Sequence, residues 1–135
     1  MMTDRELLDL AAAARKDAYV PYSRFAVGAA LLAKSGKVYT GCNIENAAYS
    51  VTVCAERTAL LKAISEGERE FTDLAVVCDT PVPSSPCGVC RQFLTEFAPQ
   101  CRVLMGNMKG DVIIKTAEEL LPLYFGATNL ENMGK

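Results

Sequence analysis

The order of hydrophobic patterns along this chain predicts an α/β fold in which helices cover both faces of one β-sheet. Helical and strand patterns alternate in the order α, β, β, α, β, α, β, β, α. Half of the residues are hydrophobic and 22% are charged, which is typical of a globular protein. With 135 residues, the chain is expected to form one domain over residues 1–135.

Four segments have the periodicity of helices. Two of them begin with the S/T-x-x-E pattern of a capping box, at Thr3 and at Thr116. Gly67 supplies a C-terminal stop for the second helix, and Pro122 ends the last one. The predicted helices are residues 3–18, about 53–66, about 87–97 and a short one from 116 to Pro122.

Five apolar runs have the length and composition of strands. Ser35-Gly36 is a turn between the first two runs, which are therefore predicted to form a β-hairpin. The third run is rich in β-branched residues and is predicted to be the central strand. The predicted strands are residues 25–33, 37–44, 74–78, 102–105 and 112–115.

The charge of the chain excludes several classes of partner. The net charge is −2 and the pI is about 5.2, and Lys and Arg form no cluster that could neutralise phosphates, so no nucleic acid polymer is expected as partner. Residues 1–16 contain three acidic side chains, which signal and transit peptides avoid, and the apolar stretch there is too short to span a bilayer. We therefore expect a cytoplasmic protein with no membrane partner.

The chain contains no histidine, and this restricts its chemistry. Catalysis by Ser-His-Asp or Cys-His groups is excluded, as is any metal site that uses imidazole. In a reducing compartment the six cysteines are expected to be metal ligands, nucleophiles or buried core residues rather than disulfides. Three of them lie in apolar strand contexts and are interpreted as core residues: Cys42, Cys78 and Cys101.

The other three cysteines form a pattern that indicates a metal site. Cys87 and Cys90 are three residues apart at the start of a predicted helix, so both thiolates can reach one ion. Cys54 precedes a different predicted helix. Three thiolates leave one tetrahedral position for water, which is typical of catalytic rather than structural zinc, and an all-thiolate set favours zinc over other ions.

Two charged residues follow Cys54 directly. Glu56 can serve the same site only if the ion lies off the helix N-terminus, where the helix dipole also favours thiolates. Arg57 could donate hydrogen bonds to the sulfur atoms and offset their negative charge, or it could be a surface arginine. A thioredoxin-like role for Cys87 and Cys90 is the alternative, but it leaves Cys54 and Glu56 unexplained.

These motifs resemble those of the small homotetrameric cytidine deaminases of nucleoside salvage. Zinc deaminases carry a metal ligand, one residue, Glu, and later Pro-Cys-x-x-Cys. The chain has Cys54-Ala55-Glu56 and Pro86-Cys87-Gly88-Val89-Cys90. The likeness continues through four further segments, which are Tyr19–Phe25, Val27–Ala30, Gly41–Ala47 and Glu119–Pro122.

The resemblance implies a fold and an activity. The fold would be a three-layer α/β/α arrangement with a five-stranded mixed sheet, assembled as a homotetramer with sites near subunit contacts and one Zn²⁺ per subunit. The reaction would be hydrolysis of cytidine and deoxycytidine to uridine and deoxyuridine with release of ammonia. Zinc would activate a water molecule, and Glu56 would transfer the protons.

The resemblance also implies substrate contacts. From composition alone, the segment 43–46 is better interpreted as a loop than as the rim of a pocket, and the resemblance reverses that order. Asn43 and Glu45 would hold the ribose 3′-hydroxyl, and Arg57 would bond the thiolates. The remaining predicted contacts are Phe25 beside the base, the Ala55 backbone at the base edge, and the aromatic residues Tyr49 and Phe125 completing the pocket at a subunit interface.

Three alternatives to a nucleoside deaminase remain at this point. A deaminase for the nucleotide dCMP would need cationic groups near the phosphate, where the chain instead has Glu45. Blasticidin S deaminases share the zinc motifs but differ in other pocket residues. A non-catalytic module stabilised by zinc would not need Glu56 beside an incomplete set of ligands.

Overall fold

A computed structural model describes residues 1–131 of the chain, and within them the order of elements agrees with the predicted one. The α-helices are α1 (Asp4–Ala14), α2 (Ala55–Ser65), α3 (Gly88–Phe97) and α4 (Ala117–Leu120), and the strands are β1 (Val27–Ala33), β2 (Val38–Cys42), β3 (Phe71–Cys78), β4 (Arg102–Asn107) and β5 (Val112–Thr116). Short 3₁₀ turns cover Arg15–Asp17, Tyr49–Val51 and Ala127–Leu130. In this part of the chain no helix has the length and apolar character needed to cross a membrane.

The five strands form one mixed sheet in the order β2-β1-β3-β4-β5. Strands β3 and β4 are parallel, and the other three neighbouring pairs are antiparallel. The turn at Ser35-Gly36 joins β1 and β2 as a hairpin, and Gly36 has a φ of +97°, a conformation that glycine adopts without strain. Strand β3 is central, as predicted.

Helices cover both faces of the sheet, so the molecule has the predicted three layers. Helix α1 packs on one face, where Leu7, Leu8 and Ala11 are buried against strand residues such as Ala75 and Leu104. Helices α2, α3 and α4 pack on the other face, in a larger cluster that contains Ala59, Leu60, Leu94, Leu31, Val103 and Ala117. Most residues of β1 and β3 are buried because both faces of these strands are covered.

The structure confirms the two predicted capping boxes, but the end of the first helix differs from the prediction. Both capping boxes are present, at Thr3 and at Thr116. Helix α1 was expected to continue to residue 18, but it ends at Ala14 and passes into a 3₁₀ turn. There the Arg15 side chain turns to donate a hydrogen bond to the carbonyl oxygen of Ala26, the residue before β1.

Strand β2 also ends earlier than predicted, at Cys42 rather than at residue 44. The cause is the side chain of Asn43. Its Oδ1 accepts a hydrogen bond from the Val27 amide at 2.9 Å, while the Asn43 amide donates to the Val27 carbonyl at 3.2 Å. A side chain thus takes the place of the next backbone partner, and the chain leaves the sheet at that point.

Candidate metal centre and catalytic cavity

Three cysteines from two helices meet at one point. Cys54 is the N-cap of α2, Cys87 is the N-cap of α3, and Cys90 lies in the first turn of α3. Their Sγ atoms all lie within 4.8 Å of one another, with 3.7 Å between those of Cys54 and Cys87 and 3.6 Å between those of Cys87 and Cys90. Two sulfur atoms that share a tetrahedral zinc at about 2.3 Å are separated by about 3.8 Å. The donor set therefore fits zinc.

The surroundings of the cluster favour negative charge on the sulfur atoms of Cys54 and Cys87. Cys54 and Cys87 occupy the N-terminal ends of two helices, where backbone amides and the helix dipoles are positive. Hydrogen bonds, first to Cys90 and then to Arg57, lower the pKa of the Cys54 thiol. A hydrogen bond to Cys54, together with burial, raises the pKa of the Cys90 thiol.

The Arg57 guanidinium lies beside this cluster. Its Nη2 donates to Cys54 Sγ at 3.6 Å and to the carbonyl oxygen of Thr52 at 3.3 Å. Its Nε is buried and has no hydrogen-bond partner among the residues that the structure describes. The Arg57 side chain is therefore half-buried rather than at the surface, and it brings a positive charge to the Cys54 sulfur atom.

Glu56 is the second residue of α2 and is only 4% exposed. Burial raises the pKa of its carboxyl group to about 7. A carboxyl group with a pKa near neutrality can both accept and release a proton during a reaction. Glu56 lies in the first turn of α2 and lines the same cavity as Cys54 and Cys87.

A cavity of about 200 Å³ opens over Glu56 and the cysteine cluster. Helix α2, the end of β3, the segment before α3 and the segment around Phe25 form its walls. Six of the residues selected from the sequence line it: Phe25, Asn43, Cys54, Ala55, Glu56 and Cys87. Cys90 is buried, and its Sγ lies 3.6 Å from that of Cys87. The structure thus brings together the metal ligands, the buried carboxyl group and the ring of Phe25.

Asn43 and Glu45 hold the backbone of the loop that carries Phe25. Asn43 Nδ2 donates to the Phe25 carbonyl oxygen at 2.7 Å. The Glu45 carboxylate accepts hydrogen bonds from the amides of Tyr22 and Ser23, at 3.0 and 3.1 Å, and from the Ser23 hydroxyl. Hydrogen bonds from Ser23 lower the pKa of Glu45, so the group is ionised at neutral pH.

Glu45 and Tyr49 lie in a neighbouring groove rather than in the cavity itself. This groove has a volume of about 230 Å³, and Thr52 lines both spaces. The rings of Tyr22 and Tyr49 lie 5.7 Å apart, and Tyr49 is 72% exposed. Phe125 is also exposed and is not among the described residues that line either space. A single chain therefore does not bring Phe125 to the cavity.

Six further residues that were not selected as site residues also line the cavity: Val27, Thr52, Val76, Cys78, Ser84 and Ser85. Cys78 is buried, as expected of a core residue, but it lies at the end of β3 that faces the cavity. Ser84 and Ser85 directly precede Pro86-Cys87 in the sequence, and this proximity to a metal ligand could have indicated that they line the cavity. Their orientation depends on how the loop is folded.

Comparison with known proteins shows the family. Residues 1–106 match the model of the cytidine and deoxycytidylate deaminase zinc-binding region. The chain belongs to the cytidine and deoxycytidylate deaminase family. Since that family region binds zinc and the three thiolates fit the ion, one Zn²⁺ per chain is its cofactor.

Three members of the family are similar to this chain over most of their length. A cytidine deaminase of Sporosarcina psychrophila is 57% identical over 118 residues, which cover 87% of each chain. One of Halalkalibacterium halodurans is 53% identical over 131 residues, 96% of this chain and 99% of the other. The crystal structure of cytidine deaminase from Burkholderia pseudomallei has 50% identity and a TM-score of 0.90, and covers 92% of this chain and all of that one.

Proposed function

We propose that the protein catalyses hydrolytic deamination of cytidine and deoxycytidine to uridine and deoxyuridine, with release of ammonia. One observation carries the proposal: the buried carboxyl group of Glu56 and the three-thiolate cluster share a cavity that also holds an aromatic ring. The similarity over most of the chain to proteins named cytidine deaminase supports it.

Cys54, Cys87 and Cys90 would hold the zinc ion. When bound there, zinc supplies a Lewis acid that lowers the pKa of water. Arg57 would offset part of the negative charge of three thiolates, which otherwise weakens this effect. The contact between Arg57 Nη2 and Cys54 Sγ supports this role.

Glu56 would be the proton-transfer group. Its carboxylate would take a proton from the attacking water and deliver it to N3 of the pyrimidine as the C4–O bond forms. Glu56 would then transfer the remaining proton of that water molecule from the new C4 hydroxyl group to the amino group, which leaves as ammonia when the C4–N bond breaks. Burial supports both steps, because it raises the pKa of Glu56 to about 7 and keeps bulk water from competing for the proton.

The walls of the cavity would orient the substrate. Phe25 would pack beside the base, and the backbone of Ala55 would contact its edge. Asn43 and Glu45 would bind the ribose 3′-hydroxyl. Asn43 would donate the Nδ2 hydrogen that Phe25 does not use, and Glu45 would accept with a carboxylate lone pair that Tyr22 and Ser23 do not use. Because the carboxylate of Glu45 is ionised, it would repel a phosphate, so a nucleoside is favoured over the nucleotide dCMP.

The assembly and the setting of the enzyme are further parts of the proposal. We propose a homotetramer in which Tyr49 and Phe125 complete cavities at subunit interfaces, since both rings are exposed in the single chain. We also propose that residues 1–135 form one domain and act in pyrimidine salvage in the cytoplasm, where six free cysteines stay reduced. Light scattering would give four times the chain mass; a monomeric active enzyme would contradict the assembly.

One assay tests the activity. Zinc-loaded protein is incubated separately with cytidine, deoxycytidine, dCMP and blasticidin S, and ultraviolet absorbance follows the loss of the amino group. We expect turnover of the two nucleosides and little or none of dCMP. Turnover of blasticidin S alone would assign the other substrate class, and no turnover of any compound would favour a zinc-stabilised binding module.

A further inference from the structure

The loop that leads into Cys87 contains few backbone hydrogen-bond donors. Residues 79–86 include three prolines, which have no N–H group. Within residues 1–131, the backbone hydrogen bonds outside helices and strands include none made by residues 80–86. The loop must therefore be held through its carbonyl oxygens and side chains. This matters because the loop lines the cavity and ends at a metal ligand.

One side chain supplies donors to the last part of this loop. Arg91, in the second turn of α3, donates from Nε to the Pro86 carbonyl oxygen at 2.8 Å and from Nη2 to the Ser85 hydroxyl. Pro86 is buried and is bonded covalently to Cys87. The Arg91 amide also donates to the Cys87 carbonyl oxygen at 3.0 Å, so backbone and side chain of one residue hold both sides of the ligand.

The same guanidinium extends to a third segment. Arg91 Nη1 donates to the carbonyl oxygen of Leu120, the last residue of α4, at 2.7 Å. Helix α4 is itself fixed by its capping box at Thr116 and by the buried side chain of Ala117. Arg91 thus joins the metal-ligand loop to a segment that the core holds in place.

We infer that Arg91 is a positioning residue for the metal centre: by joining Ser85, Pro86 and Leu120 it fixes the loop that presents Cys87 to the metal. A planar guanidinium with five N–H groups can serve three acceptors in fixed directions, which a lysine ammonium does not match. The inference depends on the zinc site of the proposed function but not on its substrate.

Zinc release tests this inference without any measurement of deamination. Zinc-loaded wild type and Arg91→Met are mixed with an excess of a chromogenic zinc chelator, and the first-order rate of zinc transfer is recorded. Loss of groups that orient metal ligands costs about 10–100-fold in metal affinity, so we expect release from Arg91→Met to be faster by about that factor. In the cobalt-substituted variant, the visible d–d bands should shift, because the position of the Cys87 thiolate changes.

Gln92→Met is the matched control. Gln92 is the next residue of α3 and also donates to a carbonyl oxygen, that of Phe125 at 2.7 Å, but within residues 1–131 its side chain has no hydrogen bond to the loop before Cys87. Its zinc release should stay within about twofold of wild type, since only groups that hold a metal ligand in place are expected to change the affinity for zinc. If Arg91→Met does not fold, Arg91→Lys is used, for which we expect an intermediate rate.

Two results would overturn the inference. One is zinc release at the wild-type rate from the folded Arg91 variant. The other is equal acceleration in Gln92→Met, which would assign the effect to general loosening of the C-terminal segment. A wild-type protein that deaminates none of the substrates while Arg91→Met still loses zinc faster would contradict the proposed function and leave this inference standing.

Discussion

The backbone of Ala55 lies directly against Gly41. A Cβ atom at Gly41 would come within 2.6 Å of the Ala55 carbonyl oxygen and within 2.6 Å of the Ala59 amide nitrogen. Only a residue without a side chain permits helix α2 to lie this close to strand β2. Since Cys54 and Glu56 flank Ala55, this contact sets the depth at which a metal ligand and the proton-transfer group enter the cavity.

Gly41→Ala should therefore destabilise the protein by about 1–3 kcal/mol, because the backbone of α2 would have to move in a close-packed region. Chemical denaturation of the zinc-loaded protein measures the loss. Gly88→Ala is the control, since a Cβ at that position meets nothing within 4 Å, and its stability should be unchanged or slightly higher. Equal stability of wild type and Gly41→Ala would show that the helix can shift without cost.

Glu56→Gln should keep the fold and the zinc content while kcat falls at least about 10²–10⁴-fold, the usual contribution of general acid-base catalysis. The amide has the shape of the carboxyl group but does not take up a proton. Kinetics with cytidine and metal analysis of the same sample check both parts. Glu96→Gln, at an exposed position of α3, should retain the wild-type rate. Near-native turnover by Glu56→Gln would remove Glu56 from the mechanism.

Cys87→Ala should lose zinc or hold it with less than one equivalent after dialysis against a chelator, because two thiolates remain of three. Cys101→Ala is the matched control. Cys101 is completely buried, and burial raises the pKa of its thiol to about 12, so it stays neutral and serves the core. That variant should be less stable but fully metallated. Full zinc occupancy in Cys87→Ala would contradict the assigned ligand set.

The ion pairs of Arg102 should make stability depend on acidic pH. Arg102 contacts Asp4 at the start of α1 and Asp73 on β3, each at 2.8 Å. The hydrogen bond to Arg102 lowers the pKa of Asp4 below its ordinary 3.8. The contribution of this pair is therefore fully present above about pH 3.8 and is lost as the pH falls through the lower pKa of the folded state.

Asp4→Asn should accordingly lower the free energy of unfolding at neutral pH, by no more than about 1 kcal/mol because the pair is half-exposed. The difference from wild type should shrink below pH 3.8. Arg102→Met should give the same trend, which separates the ion pair from any effect of Asp4 on the helix dipole. Asp9→Asn, in an exposed pair with Arg5, should change stability by less than about 0.5 kcal/mol at any pH. A difference that does not vary with pH would exclude the ion pair as the cause.

Much of the fold could be predicted from the sequence because its signals are local. A capping box such as Thr3 with Glu6 depends on residues three apart, and the turn at Gly36 depends on one backbone conformation. Two of the three zinc donors were recognisable for the same reason: Cys87-x-x-Cys90 needs only one helical turn to bring two thiolates together. The absence of histidine then left thiolates as the ligand type.

Contacts between distant segments were decided by the tertiary structure. The sequence does not show that Asn43 ends β2 by bonding to Val27, or that Arg91 reaches across to Leu120, because these depend on how separate elements pack. The same holds for Cys78, which its apolar strand context assigned to the core and which packing places at the cavity wall. By itself the sequence determined which residue types form the site. The close approach of α2 to β2 at Gly41 decided where they meet, because that distance depends on steric contact between segments that no local pattern records.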